Sequence, residues 1–376
     1  RRSWGWRRMV ENCGDIVKWE GPVKIVGETD ENLRARREAQ AVRICKALLV
    51  GWPEDSKAAV EVITGGVTNS LYKVTNADSS DVDSRTVALR VFGDNTDLLI
   101  DRDKELNVMT QLNARGFGAK VFATFANGRI EEYLLSKPMD YNMCVERKYI
   151  SKIARLTAKF HAVEMDLPQG REPDMWQTLS EWYDKAVGLE FDDARKREVY
   201  ADIDFEFLKE EIASVREACR KLRPQVVWSH GDLLPGNIML DKETDEMTFI
   251  DFEYSTYGYQ GFDIGNHWNE CMGLECNIEL YPALEKRKYF VEEYLKAWDE
   301  GAGGRECVNA ERVGRLLLES EFFVVVSHIF WSVWSIIQAK YSKIDFDYIE
   351  YYEKRWKYYL DTKPAIFAKL EKVAAL

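Results

Sequence analysis

The spacing of apolar positions along the 376-residue chain changes near residue 136 and divides it into two regions. Residues 32–49 place Ala35, Ala39, Val42 and Leu49 at helical spacing among charges, which predicts an amphipathic helix. Residues 60–63 (VEVI), 71–75 (LYKVT) and 86–92 (TVALRVF) predict strands, punctuated by TGGVTN and the polar loop NADSSDVDS. Residues 101–114 predict a helix with Asp101 as its N-cap, and 120–125 and 129–135 two more short strands. Strands with one helix among them predict an α+β lobe on an antiparallel sheet.

Beyond residue 136 the period is mainly helical. Tyr149, Ile153, Leu156 and Phe160 form one stripe over 149–161, and similar stripes cover 284–298, 311–340 and 346–360. The exception is 237–252, where NIML and MTFIDF read as strands joined by DKETDE. The expected organisation is a leader (1–30), a small antiparallel-sheet N-terminal lobe (31–135) and a large, mainly helical C-terminal lobe (136–376). The longest apolar run, 322–337, is shorter than the roughly 20 residues of a membrane span and carries Ser327, His328, Ser332 and Ser335, so it is expected to be a buried helix.

Composition narrows the class. Hydrophobic residues are 46% and charged residues 31%, as in a globular chain, and the net charge of −12 disfavours nucleic acid or anionic membrane as a partner. The seven cysteines include no C-x-x-C pair, and the four histidines are scattered. Reduced thiols in a cytoplasmic protein are expected, and no zinc-type cluster. The N-terminal RRSWGWRRMV is basic and aromatic without an apolar core, and reads as a disordered leader rather than a secretory signal.

Residues 230–254, HGDLLPGNIMLDKETDEMTFIDFEY, carry the chemistry. His230, Asp232, Leu233 and Asn237 have the spacing of the kinase catalytic loop H-R-D-L-x-x-x-N, and Asp251-Phe252 follows one strand later, as in D-F-G. Asp232, with an ordinary carboxylate pKa of about 3.9, can accept the hydrogen bond of an alcohol. Asn237 and Asp251 offer hard oxygen ligands suited to Mg²⁺. Each residue alone would read as a cap, a turn or a strand entry; together they read as a phosphoryl-transfer centre. His230 is expected to order the loop, and His161, His267 and His328 to be core histidines.

In the small lobe, Val87-Ala88-Leu89-Arg90 has the pattern of the kinase V-A-I-K strand. Alternation puts Ala88, Arg90 and Phe92 on one face, leaving Arg90 to meet phosphates, with Glu105 on the next helix its expected ion-pair partner. Gly65, Gly66, Thr68, Asn69 and Ser70 form a Gly-rich turn able to cap phosphates, although an ordinary hairpin would look the same. Trp331 and Trp334 share a helix face, as do Tyr348 and Tyr351, and Glu253, Tyr254 and Glu270 lie just past Asp251. Aromatic faces beside carboxylates suit an organic cation. By spacing alone the tryptophans would be core.

The stretches TGGVTNSLYKV, VALRVFG, TDLLIDRDKEL, ATFANGRIEEYL, HGDLLPGNIM, FIDFEYSTYGYQGFDIGNHWNE and FWSVWSIIQAKYSKIDFDY, within residues 45–363, resemble the choline/ethanolamine kinase family. The resemblance implies a protein-kinase-like two-lobed fold and ATP- and Mg²⁺-dependent phosphorylation of an amino-alcohol hydroxyl. It implies Asp232 as catalytic base and Asn237 and Asp251 as Mg²⁺ ligands. Adenine would lie near Glu132, Tyr133 and Leu134. Glu253, Tyr254, Glu270, Trp331, Trp334, Tyr348 and Tyr351 would surround the substrate ammonium. It also implies a homodimer and a place at the first step of phosphatidylethanolamine synthesis.

Leu233-Leu234 stands where the choline branch tends to carry a Cys-Gln-type pair, which favours the ethanolamine branch. A choline or dual specificity, an aminoglycoside-type phosphotransferase, and an inactive binding module are the alternatives. Gly231 departs from a frequent Asn of the family and Trp268 from a common Phe, and residues 1–40 match nothing in it.

Overall fold

A computed structural model describes residues 31–63, 69–81, 84–93, 101–168, 170–301, 308–342 and 344–374. The expected leader (1–30) and Gly65, Gly66 and Thr68 of the Gly-rich turn lie outside the described residues. The chain divides into two compact units, one ending at Leu135 and the other beginning at Ser136.

The first unit contains α1 (Glu31–Leu48), β1 (Ala58–Ile63), β2 (Asn69–Asn76), β3 (Thr86–Phe92), α2 (Arg102–Asn113), β4 (Val121–Phe125) and β5 (Gly128–Glu132). The strands form one antiparallel sheet in the order β1-β2-β3-β5-β4. Ala41, Ile44, Cys45 and Leu48 of α1 share a core with Tyr72, Val74, Val87, Leu89, Val91 and Ile130 of the sheet. Period-2 alternation sends these residues inward and leaves Ala88 and Arg90 on the opposite face. The β3–β5 register sets Ala88 opposite Glu131 and Arg90 opposite Arg129. As expected, Asp101 caps α2, its Oδ1 accepting from the Lys104 backbone N–H at 3.0 Å.

The second unit begins with β6 (Lys137–Pro138), a 3₁₀ turn (Tyr141–Val145), α3 (Arg147–His161), α4 (Met175–Ala186), α5 (Ala194–Ala201) and α6 (Phe205–Leu222). Four short strands follow: β7 (Val226–Ser229), β8 (Ile238–Leu240), β9 (Met247–Phe249) and β10 (Thr256–Tyr259). The chain ends in α7 (Gln260–Glu270), α8 (Leu284–Gly301), α9 (Ala310–Tyr341) and α10 (Tyr348–Ala374). β8 and β9 form the expected hairpin, with β6 beside it, while β7 pairs with β10. The second strand is shorter than expected. It ends at Phe249, and Asp251 turns into the left-handed region at φ 66°. α10 runs past the expected end near residue 360, with Pro364 inside it.

α9 is the spine of this unit and packs on α4, α7 and α10. Its length and composition would allow it to cross a membrane, but 89% of its most apolar window is buried inside the protein. A Cβ on Gly265 would lie 2.4 Å from the Ser320 carbonyl oxygen, so α7 and α9 cross at a distance only glycine permits.

Glu319 is a charged residue on this apolar helix. It is 5% exposed, and its Oε1 accepts from the Gly261 backbone N–H at 3.2 Å. Burial pushes its carboxyl from 4.5 up to about 7. The folded state therefore holds this proton more tightly than the unfolded chain. The stabilisation is complete below about pH 4.5 and fades as pH rises through 7, a loss of roughly 3 kcal/mol. Glu319→Gln keeps the acceptor and removes the titration. Its urea midpoint should exceed that of the wild type at pH 8 and match it at pH 5; equal midpoints at both pH values would show that Glu319 is not strained.

Candidate active site

The segment after β7 is held from below by α7. Asp263 accepts hydrogen bonds from Ser229 Oγ (2.9 Å), from the backbone N–H groups of His230 (2.6 Å) and Gly231 (2.8 Å), and from His161 Nε2 (3.0 Å). Burial alone would raise this carboxyl, but these donors and the two histidines outweigh it and hold it below the usual carboxylate range. Gly231 sits at φ 81°, and a Cβ there would meet the Tyr254 carbonyl oxygen at 2.4 Å. The loop therefore needs glycine at this position. His230 is fully buried and donates through Nε2 to the Ile250 carbonyl at 3.0 Å, the ordering role expected of it. Burial lowers its pKa and keeps it neutral.

This support brings the predicted chemistry together. Asn237 Nδ2 donates to the Asp232 carbonyl (2.9 Å) and to Asp232 Oδ2 (3.1 Å). The Asn237 carbonyl in turn accepts from Ile250 N–H at 3.0 Å, which fixes the residue before Asp251. Asp232 departs from the ordinary carboxylate expected of it. Burial, then the charges of Glu270 and Asp251, raise its pKa well above the usual value, against a smaller lowering by Asn237. Tyr141, which carried no sequence signal, stands close enough to Glu270 and Asp232 for both charges to raise its hydroxyl pKa, after burial. The only trace of it in the chain is an Asx-capped turn: Asp140 Oδ1 accepts from Asn142 N–H at 2.9 Å.

Just past Asp251 an aromatic wall begins. The Tyr254 ring meets Trp331 edge-on at 5.4 Å, Trp331 meets Trp334 at 5.4 Å, and Trp334 meets Tyr348 at 5.7 Å. Trp334 Nε1 donates to Tyr254 Oη at 3.0 Å, and Trp331 Nε1 to Asn266 Oδ1 at 2.8 Å. Phe346 lies between Tyr348 and Tyr351, touching both rings. Trp331 is 4% exposed, so it belongs to the core as its spacing suggests and lines the wall as well.

Glu270 is not a lone carboxylate. Arg355, fully buried, donates to Glu270 Oε1 at 2.7 Å and to Tyr351 Oη at 2.9 Å. The half-buried Glu253 is close enough to Tyr254 for its charge, after burial, to raise the phenol's pKa.

In the first unit the expected Arg90–Glu105 pair is replaced by a longer ladder. Arg90 Nε donates to Glu131 Oε1 (3.0 Å), Arg129 Nε to Glu131 Oε2 (2.9 Å), Arg129 Nη1 to Glu105 Oε1 (2.7 Å), and Arg102 Nη1 to Glu105 Oε2 (2.7 Å). The cause is the register: two arginines face each other across β3 and β5, and Glu131 must bridge them. Burial alone would raise Glu131, but Arg90 and Arg129 hold it at about 2. Burial alone would raise Glu105 as well, but Arg129 and Arg102 outweigh it and hold its carboxyl below the usual value. Asn69 Oδ1 accepts from Gly93 N–H at 3.3 Å, and Ser70 follows it on β2. Glu132 ends β5, its N–H bonded to the Lys120 carbonyl at 2.8 Å, and Leu134 is half-buried two residues on.

Comparison with known proteins gives this arrangement a family. The chain is 36% identical over 329 residues to a probable ethanolamine kinase of Arabidopsis thaliana, covering 87% of this chain and 86% of the relative. It is 31% identical over 330 residues to ethanolamine kinase 1 of Mus musculus, covering 87% and 90%. The solved structure of a Plasmodium vivax ethanolamine kinase superposes with a TM-score of 0.76 at 27% identity, covering 90% of this chain and 92% of that one. The fold is thus the expected protein-kinase-like α+β class, and the protein is an ATP-using kinase. The family model for choline/ethanolamine kinases matches residues 60–360, and the chain belongs to the choline/ethanolamine kinase family.

Proposed function

We propose that the protein transfers the γ-phosphoryl group of ATP to the hydroxyl of ethanolamine, giving phosphoethanolamine and ADP. One observation carries this reading most. The segment bearing Asp251 runs within three residues into Tyr254, which packs on Trp331 and accepts from Trp334, so reacting oxygens and a cation-binding wall share one stretch of chain. Asp232 takes the hydroxyl proton as the alcohol oxygen bonds to phosphorus and the bond to the ADP oxygen breaks. Asp232 and Glu253 offer acceptors to a primary ammonium, while the aromatic rings offer faces to either ammonium. Arg355 already engages Glu270, so that carboxylate shapes the wall more than it neutralises the substrate.

The donor set fits Mg²⁺. Asn237 commits its Nδ2 to Asp232, which leaves its amide oxygen, with the Asp251 carboxylate, as a hard ligand. Bound there, Mg²⁺ would offset the phosphate charge and favour the ionised form of Asp232. Arg90 presents the fixed positive charge to the phosphates, and Glu105, through Arg129 and Glu131, holds it in place.

Arg129→Lys cannot reproduce two donations in different directions. It should raise the KM for ATP about tenfold, the value of one charge-assisted hydrogen bond, and leave the KM for ethanolamine unchanged. An unchanged KM for ATP would remove the ladder from the account.

The net charge of −12 and five described cysteines that are all free and buried support a cytoplasmic, membrane-free enzyme. Detection of phosphoethanolamine and ADP in equal amounts, abolished by chelating Mg²⁺, tests the reaction. Turnover that persists with an aminoglycoside but not with ethanolamine would overturn it.

A further inference from the structure

Cys144 is far in the chain from His267 and Cys271, which stand four residues apart on one helix, and no C-x-x-C pair marks a zinc-type site in the sequence. The fold nonetheless brings the Cys144 and Cys271 sulfurs and a His267 ring nitrogen within 4.8 Å of one another. All three side chains are buried, at 2%, 1% and 0% exposure for Cys144, His267 and Cys271. We propose that these residues form a binding site for a thiophilic cation of the Zn²⁺ or Cd²⁺ class, one that ties the Tyr141–Val145 turn to the end of α7 behind the catalytic loop.

The chemistry of each ligand fits. His267 Nδ1 lies 3.0 Å from the Leu233 carbonyl, which can only accept, so Nδ1 carries the proton and Nε2 keeps its lone pair. Metal-binding histidines usually donate their other ring N–H to a backbone carbonyl or a carboxylate, and here that second contact is already made. Burial pushes the His267 pKa down to about 4, so the ring is neutral. Cys271 caps α7 four residues after His267, on the same helical face. Its thiol interacts with that of Cys144, so the two sulfurs are neighbours.

On binding, two sulfur–metal bonds and one nitrogen–metal bond form, and the two thiol protons leave to solvent. Metal–ligand distances of about 2.3 Å for sulfur and about 2.0–2.1 Å for nitrogen require the three groups to draw together only slightly. Two soft sulfurs and one imidazole select against Mg²⁺, so the site is separate in kind from the oxygen ligands of Asn237 and Asp251.

The site has a direct line to the chemistry. Leu233 follows Asp232, and Glu270 precedes Cys271, so an ion here would fix the ring that holds the loop carbonyl.

The full-length reduced protein, freed of metal and kept in excess Mg²⁺, is titrated with Cd²⁺. The expected result is a thiolate-to-cadmium charge-transfer band saturating at one ion per chain. The band should be lost in Cys144→Ser and in Cys271→Ser and retained in Cys45→Ser, which alters a buried thiol of the other unit. Zn²⁺ should raise the Tm of the wild type, and the rise, read as a shift within each variant, should vanish in Cys144→Ser. X-ray absorption of the zinc-loaded wild type should report two sulfur neighbours and one imidazole, whether or not a variant folds. No band, a band undiminished in both variants, or a zinc spectrum without sulfur would show buried thiols that hold no ion.

Discussion

Asp232→Asn should lower kcat about 10³-fold, within the range for loss of a positioned general base, while the variant folds and binds ATP. Its Tm should not fall. The carboxyl of Asp232 is raised well above its ordinary pKa by burial and by the charges of Glu270 and Asp251, so the folded protein gains by losing that charge. Asn still offers an oxygen to Asn237 Nδ2, which now donates to Asp232 Oδ2 at 3.1 Å. Loss of turnover with equal or higher stability is thus the signature of a group kept strained for its chemistry. A variant within threefold of the wild-type kcat would remove Asp232 from the reaction. A variant that is inactive because it melts early would remove the claim that the charge is strained.

The largest effect on stability should come from Arg355→Met. Arg355 is 1% exposed, and its guanidinium donates to Glu270, Tyr351 and both the carbonyl (3.2 Å) and hydroxyl (2.7 Å) of Ser327. Removing it leaves the Glu270 charge buried without its cation, a cost of about 3–5 kcal/mol. The double variant Arg355→Met, Glu270→Gln removes both charges and should recover a substantial part of that loss, as measured in a urea double-mutant cycle. A single-variant cost below about 1 kcal/mol, or no recovery in the double variant, would mean that Arg355 and Glu270 do not depend on each other. The pair also explains why the wall can hold a carboxylate next to the already strained Asp232.

The sequence was most readable where the signal is local. Alternation in TVALRVF and helical stripes further on placed most elements, and the spacing of Asp232 and Asn237 marked a contact that one short loop makes, Asn237 Nδ2 to Asp232 Oδ2, with Asp251 just past the hairpin that follows. Contacts set by register or by helix crossings were not readable. Glu105 was expected to meet Arg90, but the pairing of β3 with β5, formed by residues about forty apart, inserts Arg129 and Glu131 between them. Asp263, which holds the Ser229–Gly231 segment through three hydrogen bonds and accepts a fourth from His161, is one acidic residue in the first turn of a helix, and nothing beside it in the chain marks it. Arg355 reaches Glu270 across 85 positions, and the cluster of Cys144, His267 and Cys271 spans more than a hundred. The strands β7 and β10 are four residues each and too short for alternation to show.

The central claim is that a kinase catalytic loop here serves a small primary ammonium alcohol. Steady-state kcat/KM for ethanolamine and for choline, measured side by side with saturating MgATP, tests it most directly. The account predicts a clearly larger value for ethanolamine, with both activities lost together in Asp232→Asn. A larger value for choline would contradict the substrate, and turnover that survives Asp232→Asn would contradict the site.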